Sequence, residues 1–266
     1  MKKILLLFIL FGAISSCEEV IQVDLNESDP KLVIEASINL LEDGTSNAYV
    51  KITRTYPYFD VEVPYVLNAE VRITDDLGEL FPFVYLENGK YVGDLIPEMG
   101  RVYNLEVVVD GETFTASQQL YSVANLDFVE QNNEGGFSGE DIELKAFFTD
   151  PEGVQNFYFF EGLSDKGDLR DAFYDNFFDG NVFFGYYSVE DISPGDEVVF
   201  NLFGVDEAFY NFMFTLLQQT GANNNGPFET QPATVRGNII NETNSEDFPL
   251  GYFRISEVST LSYIVE

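Results

Sequence analysis

The sequence predicts a mostly β protein: a β-sandwich over residues 30–122, then a second β-rich domain over 123–266 that carries one amphipathic helix near 206–219. Three observations predict it. Short runs of alternating apolar and polar residues recur along the chain, and turn signals rich in Gly, Asp and Pro punctuate them at close spacing. One segment alone changes to the helical period.

The elements follow in order. Ala69, Val71 and Ile73 alternate with Glu70, Arg72 and Thr74, the period of a half-buried strand, and Asp75-Asp76-Leu77-Gly78 reads as the turn after it. Val102 to Val109 runs into Asp110-Gly111 and on to Thr113–Ser117; a DG pair between two β-prone runs is a strong hairpin signal. Strands at this spacing resemble an immunoglobulin or fibronectin module. After a strand-like piece at Asn125–Glu130, the Asn-, Glu- and Gly-rich stretch Gln131–Gly139 is expected to be a flexible loop near the domain boundary. Ile142, Leu144, Ala146 and Phe148 then alternate with Glu143, Lys145, Phe147 and Thr149. Asp150-Pro151-Glu152-Gly153 turns the chain into Val154–Phe160, and Pro194-Gly195-Asp196, with type II chemistry, precedes Glu197–Phe203. Phe209, Phe212, Met213, Leu216 and Leu217 follow the spacing of a helix with one apolar face, expected to pack on a sheet. Asp206 is its expected N-cap and Gly221 its expected stop.

The first residues carry a different kind of information. Lys2 and Lys3, the apolar run Ile4–Ala13 and a small-residue stretch ending at Cys17 make residues 1–16 a secretory signal peptide. The apolar run falls short of the roughly 20 residues a bilayer span needs. Ile14-Ser15-Ser16-Cys17 resembles the lipobox of bacterial lipoproteins, which implies that Cys17 is acylated and becomes the mature N-terminus. Cys17 is the only cysteine in the chain, so no disulfide competes for it. Two or more acyl chains, at about 0.8 kcal/mol per buried CH₂, would hold the protein to a membrane lastingly. Residues 17–29 read as an acidic tether. Within it, Glu18 and Glu19 resemble the export signal that sends lipoproteins of Bacteroidota to the cell surface; a periplasm-facing anchor is the alternative.

Composition sets outer limits. With 13 Lys and Arg against 46 Asp and Glu, the net charge is −33, a field that repels phosphate backbones and argues against nucleic acid as a partner. The chain has no His, which excludes Ser-His-Asp and Cys-His catalysis and the usual zinc sites. No Gly-rich phosphate loop appears. Carboxylate chemistry and Ca²⁺ held by oxygen ligands remain open.

A family likeness runs through the mature chain. The lipobox cysteine, Val23-Asp24-Leu25 and Pro30-Lys31-Leu32-Val33-Ile34 open it, and Asn68-Ala69-Glu70-Val71, Gly89-Lys90-Tyr91 and Tyr103-Asn104-Leu105 continue it. Asp150-Pro151-Glu152-Gly153, Asn156-Phe157-Tyr158 and Ser193-Pro194-Gly195-Asp196 follow, then Arg236-Gly237-Asn238-Ile239 and Leu250-Gly251-Tyr252-Phe253. In this order they resemble a Bacteroidota envelope lipoprotein family, domain of unknown function 4249. The family tends to run through glycines between Asn238 and Gly251, where this chain has Asn241-Glu242-Thr243-Asn244-Ser245-Glu246-Asp247. The resemblance implies an outer-membrane lipoprotein that assists a TonB-dependent receptor; it supplies no catalytic residues to carry over, and no cofactor is expected beyond a weak case for Ca²⁺.

Two clusters lie within residues 157–187. Most of its aromatic rings are expected in the core, but neighbours such as Phe177 and Phe178 cannot both face inward on one strand. Tyr174, Phe177, Phe178, Tyr186 and Tyr187 are therefore the candidate partner or ligand surface. Asp165, Asp168 and Asp171 are weak Ca²⁺ candidates, since their spacing does not fit an EF-hand and a solvated acidic loop explains them better. Two other functions stand beside the accessory role: a surface hydrolase using paired carboxylates on glycans, and a structural or adhesive envelope module.

Overall fold

The structure, a computed structural model, describes residues 29–57, 60–136, 139–219 and 234–266. The signal peptide, Cys17, Glu18, Glu19, most of the tether and Gly221 lie outside the described residues.

Seven strands build the first region: β1 (Leu32–Leu41), β2 (Ser46–Arg54), β3 (Glu70–Asp75), β4 (Leu80–Glu87), β5 (Lys90–Gly93), β6 (Val102–Val109) and β7 (Glu112–Gln119). The alternation predicted for 69–74 appears in β3, where Val71 and Ile73 are buried while Glu70 and Arg72 face solvent. Asp110 (φ 54°) and Gly111 (φ 83°) both take the left-handed backbone that a two-residue hairpin turn requires, and they join β6 to β7.

The second region adds β8 (Leu126–Gly135), β9 (Asp141–Thr149), β10 (Phe157–Ser164), β11 (Gly167–Tyr174), β12 (Val182–Tyr187) and β13 (Glu197–Val205). Helix α1 (Glu207–Gln219), the short β14 (Ile240–Asn241) and the long β15 (Leu250–Ile264) complete it. The chain is thus mostly β with one α-helix among the described residues. Gln131–Gly135, expected in a loop, instead extends β8. It pairs with β9 at the edge of a sheet, where one flank of the backbone is satisfied and polar side chains can stay in water.

Twelve strands form one sheet, in the order β11-β10-β13-β15-β1-β2-β5-β4-β3-β6-β7-β14, and three form another, β12-β9-β8. The large sheet curls until the chain after β7 meets β15: Tyr121 N donates to Ile255 O, and Glu257 N donates to Tyr121 O. Inside the curl sits a first core around Ile34, Ile52, Ile73, Leu105 and Val107. The small sheet packs on β10 and β13 over a second core that includes Leu144, Phe148, Tyr158, Phe160 and Phe200. These cores do not follow the expected division at residues 122 and 123, because Ile239 joins the first core and β15 serves both. It places Phe253 and Ile255 in the first and Leu261 against the second, and it pairs in parallel with β1.

Helix α1 begins where predicted. Phe209 N donates to Asp206 Oδ1 at 2.6 Å, which supplies the cap. Phe209 and Leu217 are buried, and Phe212 and Met213 pack with Phe209 against Phe159, Phe203 and Tyr252. The helix therefore covers the outer face of β10, β13 and β15, and β15 is enclosed on both faces from Tyr252 to Ser259.

Candidate functional site

Between that helix and the sheet lies a groove of about 790 Å³. Its floor is the outer face of β1 and β15, its far wall comes from β10 and β11, and its apolar side is the Phe209, Phe212, Met213 and Leu216 stripe of α1. The strands are held in place by local devices. Gly251, at φ 99°, lets β15 start against β1: a Cβ there would lie 2.1 Å from Ile34 O. Asn238 brackets the next step, its amide donating to Phe253 O and its oxygen accepting from Phe253 N, both at 2.8 Å.

Arg254 stands at the centre of the groove floor. It is 7% exposed, and its Nη1 has no hydrogen-bond partner among the described residues. Its guanidinium lies over the ring of Phe203 at 4.3 Å and near Phe209 at 5.5 Å. Burial pushes it down to about 10, against the opposing pull of Tyr49 and Glu161, so it is still a cation at neutral pH. The nearby Glu161 is already engaged, accepting from Arg170 Nε at 3.0 Å.

The register of β1 and β15 extends this polar floor. Ser37 pairs with Arg254 and Asn39 with Ser256, two successive rungs on one face. Arg254 Nη1, Ser256 Oγ and Asn39 Oδ1 are all buried and have no hydrogen-bond partner among the described residues. Buried polar groups are nearly always hydrogen-bonded, and of these three residues Arg254 alone lines the groove, so its Nη1 marks the place where something polar can be received. Sequence reasoning missed this site because, in isolation, Arg254 reads as the solvent-facing residue of an alternating strand. The usable signal was the run Leu250-Gly251-Tyr252-Phe253-Arg254-Ile255, apolar on both parities, which belongs to a strand covered on both faces.

The predicted aromatic surface is only partly exposed. Phe177 projects into solvent at 92% exposure, while its neighbour Phe178 is buried and stacks on Phe183 at 4.0 Å. Tyr187 is also buried, with its hydroxyl donating to Gly167 O at 2.8 Å. Phe178 and Tyr187 are therefore core residues and not surface ones, because two sheets close over them. Tyr174 and Tyr186 are half-buried: Tyr174 meets Tyr210 edge-on at 5.2 Å, and Tyr186 donates to Glu143 at 3.1 Å.

The acidic candidates do not converge either. Asp165 is exposed in the turn between β10 and β11, Asp168 bonds Arg170, and half-buried Asp171 accepts from Ala172 N. Strand alternation sends Asp168 and Asp171 to opposite faces of β11. Three other carboxylates do meet, those of Asp150, Asp175 and Asp179, with one oxygen of each within 4.8 Å of the others. They offer part of the six to eight oxygens that Ca²⁺ takes. The fold already uses each one: Tyr158 Oη and Gly180 N donate to Asp150, Asn156 N to Asp175 and Gly153 N to Asp179. Among the described residues no helix is long and apolar enough to cross a membrane.

A family model described as a domain of unknown function, DUF4249, matches residues 18–262. No curated protein matches the chain. Among solved structures, a DUF4785 family protein from Legionella pneumophila is similar at 12% identity and a TM-score of 0.25, covering 67% of this chain. The match spans 54% of that protein, about half its length. A cytokine receptor complex aligns at 13% identity and a TM-score of 0.27, over 68% of this chain and 86% of that one. A two-domain fibronectin type III segment of chicken tenascin aligns at 12% and 0.21, over 66% and 90%.

Proposed function

We propose that this chain, which belongs to the family described as domain of unknown function DUF4249, is a lipid-anchored, non-enzymatic protein that carries a ligand for a TonB-dependent uptake receptor of the outer membrane. Acylated Cys17 holds the body at the membrane, and Glu18 and Glu19 favour display at the cell surface. The observation that carries the reading is the groove over β15, where Arg254 Nη1 is buried with no hydrogen-bond partner among the described residues. A groove with a mostly apolar side and a few convergent polar groups is the form that small-molecule sites take.

An enzyme is the lesser reading. A glycan hydrolase needs two carboxyl groups facing each other across the scissile bond. The groove holds Glu35 and Glu161, of which Glu161 is tied to Arg170. The test of the proposal is affinity capture from outer membranes with a tag at the C-terminus. A receptor barrel recovered with the wild type, and lost with Cys17→Ala, supports the role; anchored protein recovered without any receptor sinks it.

A further inference from the structure

We infer that the groove binds an organic monocarboxylate with an apolar body, its carboxylate on Arg254 and its body along the Phe209–Leu216 side of α1. This deepens the ligand-carrying reading above and rests on it.

Charge chooses the headgroup. The floor offers one buried cation whose Nη1 has no hydrogen-bond partner among the described residues. A carboxylate can accept from Nη1 in a charge-assisted hydrogen bond, which satisfies the orphaned donor that lines the groove. The same floor repels higher charge: Glu35 and Glu161 line the groove, and the chain carries −33 overall. Arg170, the other cation lining the groove among the described residues, is already paired with Glu161, so one free cation matches one negative charge and a dianionic phosphate would leave charge uncompensated beside Glu35.

Shape chooses the rest. Phe209, Phe212, Met213 and Leu216 give an apolar wall beside the cation, and Met adapts to bodies of differing outline. Neutral or cationic molecules of the same size would leave Arg254 buried and unpaired, and would gain only the apolar contact.

Decanoate is the probe, with 1-decanol, decyltrimethylammonium and decyl phosphate as comparisons, followed by titration calorimetry on the purified soluble chain lacking residues 1–17. That truncation removes no described residue. Decanoate is expected to bind one per chain, at least about tenfold more tightly than 1-decanol or decyl phosphate, as a charge-assisted hydrogen bond implies. Arg254→Met should bring decanoate down to the affinity of decanol. Ser37→Glu provides a second route, because it sets a carboxylate on the rung beside Arg254. That variant should fold, hold its own carboxylate on Arg254 and lose decanoate binding by a similar factor. Equal binding of decanoate and decanol, undiminished binding to both variants, or no binding to the wild type would overturn the inference. Receptor capture is read separately: it can persist while decanoate fails, which ends this inference alone, or fail while decanoate binds, which ends the receptor role alone.

Discussion

Tyr158 donates its hydroxyl to Asp150 Oδ1 across 2.5 Å, with both side chains buried. The pair locks the turn after β9 to strand β10. Asp150 also accepts from Gly180 N, so the same carboxylate holds the loop that precedes β12. Tyr158→Phe removes the donor and leaves a buried acceptor short of a partner, which should cost about 1–3 kcal/mol. Urea unfolding followed by tyrosine fluorescence and circular dichroism measures this loss.

Alkaline pH should destabilise the protein through the same residue. Burial, then the hydrogen bond to Asp150, pushes the Tyr158 phenol well above its ordinary value; burial does the same to Tyr252, followed by the charge and hydrogen bonding of Asp206. For an acid whose folded value is raised, the stability is fully present below the unfolded value and is lost as pH rises past it. The window therefore opens above about pH 10. Tyr158→Phe should show a shallower decline than the wild type between pH 10 and 11.5, read as melting temperature against pH.

Asp206 caps α1 and also ties the helix to the sheet, since Tyr252 Oη and Gln118 Nε2 both donate to its carboxylate. Asp206→Ala should cost about 1–3 kcal/mol, the cap alone accounting for about 0.5–2. Because the helix walls the groove, the variant should also weaken decanoate binding, which a purely local cap would leave unchanged.

The helix was legible in the sequence, and so were its cap, the β6–β7 hairpin and the alternation in β3, because each is encoded by residues within a turn or a strand of one another. The parallel pairing of β1 with β15 was not: Val33 faces Leu250 across most of the chain, and no local pattern specifies a partner so distant. The site depends on that pairing, since Arg254 meets Ser37 only through it. The aromatic segment was half legible. Sequence parity separates Phe177 from Phe178, but choosing which of them faces water requires knowing where the second sheet lies. Several family-like motifs turn out to hold the structure together: Asp150 and Asn156 in the loop network, and Gly237, Asn238 and Gly251 where β15 begins against β1.

Without ligand, Arg254 should weaken the fold it sits in. A buried charge without a partner is costly, and its ring contacts with Phe203 and Phe209 offset only part of that cost. Arg254→Met should therefore raise the stability of the ligand-free chain by about 1–3 kcal/mol while reducing the gain that decanoate gives the wild type to the level given by 1-decanol. Denaturant midpoints with and without decanoate separate the two effects.

Cys17→Ala should release the protein from membranes into the soluble fraction, because no other residue offers a thiol for acylation. Fractionation with metabolic incorporation of a labelled fatty acid checks it: label and membrane association should disappear together.

The central claim is tested most directly by native mass spectrometry of the full chain extracted from membranes in a mild detergent. The account predicts a covalent acyl increment on the Cys17 peptide and, on the folded protein, a noncovalent small acid that unfolding releases and Arg254→Met lacks. An unmodified Cys17, a wild type that carries no small acid, or the same noncovalent mass on wild type and Arg254→Met would contradict it.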